Sequence, residues 1–174
     1  MEHPGAIQFF TATILNWHHV LKRDSYKEII ISSMRFLVRE ERVRIFNFVI
    51  MPNHIHLLWK MNATDRRENV QRDFLKFTAQ QIINELRKEN PEALEKLRVD
   101  AKDRKYQVWE RNALSVDIYS REVLAQKMEY IHNNPAQERW NLCFEPRDYK
   151  YSSIDLYEYG KSKWDFLSAW TEEI

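Results

Sequence analysis

His54 and His56 stand two residues apart inside an otherwise apolar run. On an extended strand, residues at that spacing project to one side, so both imidazoles can offer a nitrogen to a single cation. The alternate positions Ile55, Leu57, Trp59 and Met61 form an apolar face that would fix such a strand in a core, the rigid support a site needs. A second concentration of chemistry lies about 75 residues on. At roughly 100° per residue, Tyr130 and Asn134 fall on neighbouring parts of one helical flank, with Lys127 close by and the stripe Leu124, Met128 and Ile131 beside them. That shoulder would carry a nucleophilic phenol, a metal-ligating amide oxygen and an ammonium. Spacing alone does not separate these roles from plainer ones: surface histidines, a tyrosine at the edge of a core stripe, and asparagines closing a helix C-terminus.

The elements that must position these residues are legible from periodicity. Residues 7–17, rich in β-branched and aromatic side chains, predict a strand. Asp24 and Ser25 then offer an N-cap for a helix over 26–41, where Ile29, Ile30, Met34, Leu37 and Val38 recur at helical spacing. Residues 43–51 alternate Val43, Ile45 and Val49 against Phe46, Phe48 and Ile50, which predicts a central strand buried on both faces. Pro52-Asn53 is a turn, and 54–61 resumes the strand pattern. A long helix over 66–90 ends at Pro91, and 92–105 is an excursion or extra helix. Residues 106–110 and 114–119 read as two strands of a hairpin. Ser120 caps the Tyr130 helix, which Pro135 should end by Asn133 or Asn134. Helical turns at 153–159 and an aromatic tail with Trp164, Phe166 and Trp170 follow. The order predicts an α+β fold, helices packed on a mainly antiparallel sheet.

Composition narrows the classes. The 174 residues are 44% apolar and 13% aromatic with two glycines and five prolines, enough for one packed domain and unlike disordered or collagenous chains. Twenty-seven Lys and Arg against 26 Asp and Glu leave a formal charge of +1, so a nucleic-acid partner would have to be drawn by a local patch. Single Cys143 permits neither an internal disulfide nor a thiolate metal site, and fits a reducing, cytoplasmic setting. The start, Met-Glu-His-Pro-Gly, lacks signal-peptide features, and no run approaches the roughly 20 apolar residues of a membrane span. There is no His-Glu-x-x-His for a zinc hydrolase and no glycine-rich P-loop.

The string Phe48-Val49-Ile50-Met51-Pro52-Asn53-His54-Ile55-His56-Leu57-Leu58 resembles the HUH segment (His, hydrophobic, His) of single-tyrosine transposases of the insertion-sequence and REP-associated type. Tyr130-Ile131-His132-Asn133-Asn134-Pro135, with Pro146-Arg147-Asp148-Tyr149-Lys150-Tyr151-Ser152-Ser153 after it, resembles that family's tyrosine helix and following segment. The blocks stand in family order. With Phe74 to Thr78 and Tyr106 to Trp109 between them, the likeness spans most of 7–155, leaving 156–174 as a tail to a single transposase-like catalytic domain of 1–174. The chain departs from the pattern after Asn134-Pro135, where Ala136-Gln137-Glu138-Arg139-Trp140 replaces the usual continuation.

The resemblance implies a ferredoxin-like or RRM-like sheet and DNA strand cleavage and rejoining through a 5′-phosphotyrosine intermediate, on single-stranded, hairpin-bearing DNA such as repetitive palindromes or transposon ends. Tyr130 would attack, and His54, His56 and Asn134 would hold Mg²⁺ or Mn²⁺, with Asn133 a substitute for Asn134. A phenol is protonated at neutral pH, so it needs a nearby cation or base, a role for which helical phase nominates Lys127. Lys76, Arg104, Lys105 and Arg111 are candidate phosphate partners. Tyr106, Trp109, Trp140 and Tyr149 are candidate platforms for unpaired bases. Two matters stay open at this level: whether one chain or a homodimer exchanging the Tyr130 helix completes the site, and whether the protein is instead a domesticated hairpin binder that does not cut.

Overall fold

A computed structural model describes residues 5–171. The residues 1–4, on which the expectation about the N-terminus rests, and 172–174 at the end of the tail lie outside them. The elements are β1 (Ile7–Thr13), α1 (Asp24–Arg39), β2 (Val43–Ile50), β3 (His54–Met61), α2 (Arg67–Glu89), α3 (Pro91–Glu95), β4 (Leu114–Ile118), α4 (Arg121–Asn133) and α5 (Ile154–Tyr159). The strands form one sheet in the order β2-β3-β1-β4, and every neighbouring pair is antiparallel. Two interleaved crossovers, β1-α1-β2 and β3-α2-β4, generate that order, which is the ferredoxin-like form of the expected α+β fold.

Strand alternation divides the apolar side chains between two faces. Phe10, Phe48, Ile50, Leu57 and Trp59 pack with Ile30 and Met34 of α1 and Val70 and Phe74 of α2. On the other face Phe9, Phe46, Val49, Leu58 and Ile118 meet the α4 stripe Leu124, Met128 and Ile131. The histidines of β3 belong to this second face, so the helix carrying Tyr130 is the one that crosses them.

The structure departs from expectation in five places. β1 stops at Thr13 because Asn16 and Trp17 take left-handed backbone angles (φ 53° and 58°), which turn the chain out of the sheet. The N-cap of α1 is Arg23, with Asp24 already in the first turn. In β2 a bulge between Ile45 and Asn47 shifts the alternation, so Phe48 and Ile50 join Val43 and Ile45 while Phe46 and Val49 face α4. β2 is also an edge strand, not a central one. It is buried because the chain beyond α4 seals its outer rim: Ile50 N donates to Tyr151 O, Ser153 N to Phe48 O, and Ser168 N to Ile45 O. Finally, residues 106–110 form no hairpin with β4. Isolated bridges tie Trp109 to Ile14 and Tyr106 to Arg98, while β4 pairs with β1.

Ser153 locks the sheet to α4. Its Oγ accepts from Phe48 N (2.9 Å), donates to Asn47 Oδ1 (2.8 Å) and meets His132 Nε2 at 3.1 Å. One proton and two lone pairs are thereby used if His132 donates through Nε2. Ser153→Ala strands at least two buried polar groups, each worth roughly 1–3 kcal/mol. We expect it to lower unfolding free energy by about 3 kcal/mol in a urea titration; a loss below about 0.5 kcal/mol would show that the network is not holding the helix.

Candidate active site

β3 opens at His54 and carries both imidazoles, His54 opposite Thr13 and His56 opposite Thr11 of β1. Their ring centroids lie 4.8 Å apart, and both side chains are almost wholly buried. Each ring is oriented through Nδ1. His54 Nδ1 meets Asn53 Oδ1 at 2.7 Å, and Asn53 Nδ2 donates to Trp17 O at 3.2 Å, which fixes the amide so that its oxygen faces the ring. His54 therefore carries its proton on Nδ1, which leaves Nε2 as the ring's acceptor. His56 Nδ1 lies 2.7 Å from Thr11 Oγ1, and its buried Nε2 has no partner. Outer hydrogen bonds of this kind set the tautomer of metal-binding histidines.

α4 begins where Ser120 Oγ accepts from Val123 N at 3.3 Å and runs to Asn133. Although it precedes Pro135, Asn134 stays helical (φ −54°, ψ −46°), so it keeps the phase of the turn above it. Tyr130 stands edge-on to His56, ring centroids 5.2 Å apart, and edge-on to Phe9 at 6.1 Å, with 40% of its surface exposed. Asn134 is fully buried beside His54, close enough for its amide to favour the ring's protonated form, yet among the described residues neither its Oδ1 nor its Nδ2 makes a hydrogen bond of full geometry. Asn133 is exposed and lines a different surface hollow, so of the two asparagines only Asn134 accompanies the histidines. Lys127 Nζ sits 4.6 Å above the Phe9 ring.

His54, His56, Tyr130, Lys127 and Phe9 open onto a cleft of about 500 Å³ lined also by Thr11, Thr13, Trp17, Leu114, Arg139 and Trp140, whereas the buried Asn134 is not part of its lining. Among the described residues no carboxylate lines it. Two donor nitrogens, an unsatisfied amide oxygen and two flanking cations suit a dication that in turn faces an anion. Among the described residues no group of three His, Cys, Asp or Glu could hold a metal, so any third protein donor beside the two histidines is of another type, such as the Asn134 amide. The orphaned His56 Nε2 and Asn134 Oδ1 fit a small oxygen-preferring ion that tolerates imidazole.

Burial pushes His54 down to about 4, helped by the Arg139 charge and opposed by the Asn134 amide. His56 is pushed down to about 3 by burial, then by His54, Lys127 and Arg139. His132 falls to about 4 by burial, opposed by Asp155. All three lie below the unfolded value of about 6.5, so their contribution to stability is complete above that pH and is lost as pH falls from about 6.5 towards 4 for His54 and His132 and towards 3 for His56. The slope approaches about 1.4 kcal/mol per pH unit for each histidine. Urea midpoints of metal-free protein should therefore drop steeply between pH 7 and 5; equal midpoints would mean that these rings are not desolvated.

The remaining candidates scatter. Lys76 is exposed on α2, behind the opposite face of the sheet, and Arg111 is exposed in the turn before β4, outside the cleft lining. Trp109 is a core residue whose Nε1 donates to Thr78 Oγ1 at 3.0 Å, and Tyr149 donates to Ile50 O at 2.7 Å. Trp140 does reach the cleft. Sequence reasoning missed Thr11, Arg139, Trp17 and Phe9. Thr11 could have been found, because antiparallel pairing of β1 with the His-x-His strand puts some β1 side chain against each histidine. Trp17 could not, since its place depends on two left-handed residues costing roughly 1–2 kcal/mol each.

No protein-family model matches the chain, and no curated protein matches its sequence. Among solved structures it is similar to a REP-associated tyrosine transposase bound to a REP hairpin: 17% identity, 97% of this chain and 88% of that one covered, TM-score 0.68. A Deinococcus radiodurans protein described as a transposase is 15% identical over 76% of this chain and 92% of its own, at TM-score 0.49. At these identities what is shared is the fold, and only the first similarity is close enough to argue from. No described helix is long and apolar enough to cross a membrane.

Proposed function

We propose that the protein is a DNA strand-cleaving and rejoining enzyme of transposase type, acting on single-stranded DNA that carries a hairpin, with Tyr130 as nucleophile. The observation that carries this reading is the exposed Tyr130 ring held edge-on, 5.2 Å from His56, at an open cleft lined by cations. The hairpin enters from the fold neighbour, which was solved bound to one.

In the proposed reaction the Tyr130 oxygen bonds to phosphorus as the P–O3′ bond breaks. The phenol proton passes to water, the departing 3′ oxygen takes up a proton, and the 5′ side stays linked as phosphotyrosine. A 3′ hydroxyl attacking that link reverses the step, so rejoining consumes no nucleotide. Lys127 and Arg139 draw the phosphodiester into the cleft and oppose its charge. His54, His56 and Asn134 would hold Mg²⁺ or Mn²⁺, which when bound polarises a non-bridging phosphate oxygen. Asn53 and Thr11 keep the two imidazoles turned with Nε2 towards that position. Nucleophile and histidines come from one chain, so this reading needs no second copy.

The test is to incubate the protein with a hairpin-bearing single strand and Mg²⁺ or Mn²⁺ and resolve the products on a denaturing gel. A covalent protein–DNA band that disappears with chelator is expected. A hairpin mobility shift that ignores chelator, with no covalent band in either metal, would make the protein a hairpin binder instead.

A further inference from the structure

Six tryptophans occur in the chain, and five are buried or half-buried. Trp17 is the exception: 62% of its surface is exposed, and it lines the cleft that holds Tyr130, His54 and His56. Its backbone is left-handed, as is that of Asn16 before it (φ 58° and 53°), an unfavourable conformation for a bulky side chain. The segment is nevertheless tied down on every side. Ile14 N donates to Asn53 O at 2.8 Å, Trp17 N to Ile14 O at 2.9 Å, Leu21 N to Pro52 O at 2.8 Å, and Asn16 N to the Glu110 carboxylate at 2.7 Å. A rigid, strained turn thus holds a large apolar ring out in solvent, at the mouth of a charged cleft.

The bracing also sets the ring's register with the site. Asn53 donates through Nδ2 to Trp17 O and accepts at Oδ1 from His54 Nδ1, so one side-chain amide joins the indole's backbone to the histidine. A second indole, Trp140, lines the same cleft, tilted against His54 at 5.4 Å and His19 at 5.9 Å, with the Arg139 guanidinium 5.8 Å from its own ring. With cations on the cleft wall and no carboxylate among the described residues that line it, the ligand that suits this surface is flat, apolar on its faces and joined to phosphate.

We propose that Trp17, with Trp140, forms a subsite for one unpaired nucleobase of single-stranded DNA, adjacent to the phosphate that enters the cleft. The subsite deepens the function proposed above, and its place relative to the attacked phosphate rests on that reading. Base–aromatic stacking of this kind tolerates any base, because every base presents a π face. The subsite therefore positions the strand without selecting its sequence.

The test measures binding rather than cleavage, on Tyr130→Phe protein in chelator, using fluorescein-labelled oligothymidylate and an abasic strand of the same length. Trp17→Ala should weaken oligothymidylate binding by about 5- to 150-fold, the range typical of one stacked base. Trp17→Phe, which keeps a stacking ring, should restore most of it, and neither change should alter binding of the abasic strand. Equal affinity for oligothymidylate in the parent and Trp17→Ala overturns the subsite, as does an equal loss on the abasic strand or no measurable binding by the parent. Because no cut is needed, a protein that stacks bases but forms no adduct would sink the enzymatic reading alone. Adduct formation with Trp17→Ala affinity unchanged would sink the subsite alone.

Discussion

Tyr130→Phe is expected to abolish the covalent protein–DNA band completely while leaving the fold intact. The substitution removes a single oxygen from a ring that is already 40% exposed, so the change in unfolding free energy should stay within about 0.5 kcal/mol. Among the described residues no other tyrosine lines the cleft. Tyr149 and Tyr157 spend their hydroxyls on the carbonyls of Ile50 and Phe46, and burial raises both well above the usual phenol range. Tyr151 donates to Glu28 and is likewise raised, by burial first and then by that carboxylate. Hairpin binding by the Tyr130→Phe protein, measured by mobility shift, should match wild type. An undiminished covalent band in the variant would assign the nucleophile elsewhere.

The second large effect concerns the histidines. His56→Ala removes the buried Nε2 that has no partner among the described residues, and Mn²⁺-dependent cleavage should fall by at least about 100-fold, beyond the 10–100-fold typical of outer-shell changes. Thr11→Val, which deletes only the group facing His56 Nδ1, should fall within that 10–100-fold range and be partly recovered at higher Mn²⁺. Direct calorimetric titration of Mn²⁺ into each variant checks the ordering. Unchanged metal dependence in His56→Ala would remove the histidines from the proposed ligand set. The same substitution should also flatten part of the acid sensitivity expected of wild type, since one of the three imidazoles with a depressed pKa is gone.

Much of this arrangement could be read before any coordinates. Strict alternation around His54 and His56 put both rings on one side of a strand, and the bounds of β3 agree with the expected 54–61. Helical phase brought Lys127, Tyr130 and Asn134 to one flank because α4 is regular through Asn134. What periodicity could not carry was anything decided across the chain. The bulge at β2 reverses side-chain faces within a run that alternates perfectly on paper, and the segment 106–110 has strand composition yet finds only isolated bridges. Burial of the histidines likewise depends on α4 lying over them, which no local pattern contains. The positive charges spread more widely than expected: Lys127 reaches the cleft, whereas Lys76 projects from the opposite layer.

The sealing of β2 by the chain beyond α4 bears on how the molecule avoids sticking to its own copies. The backbone at Ile45, Phe48 and Ile50 is occupied by Ser168, Ser153 and Tyr151. An uncovered, apolar outer strand is a template for intermolecular pairing and aggregation. Lesions that loosen the aromatic residues Trp164 and Phe166 would thus show up first as lost solubility on expression, before any defect in chemistry at the distant cleft.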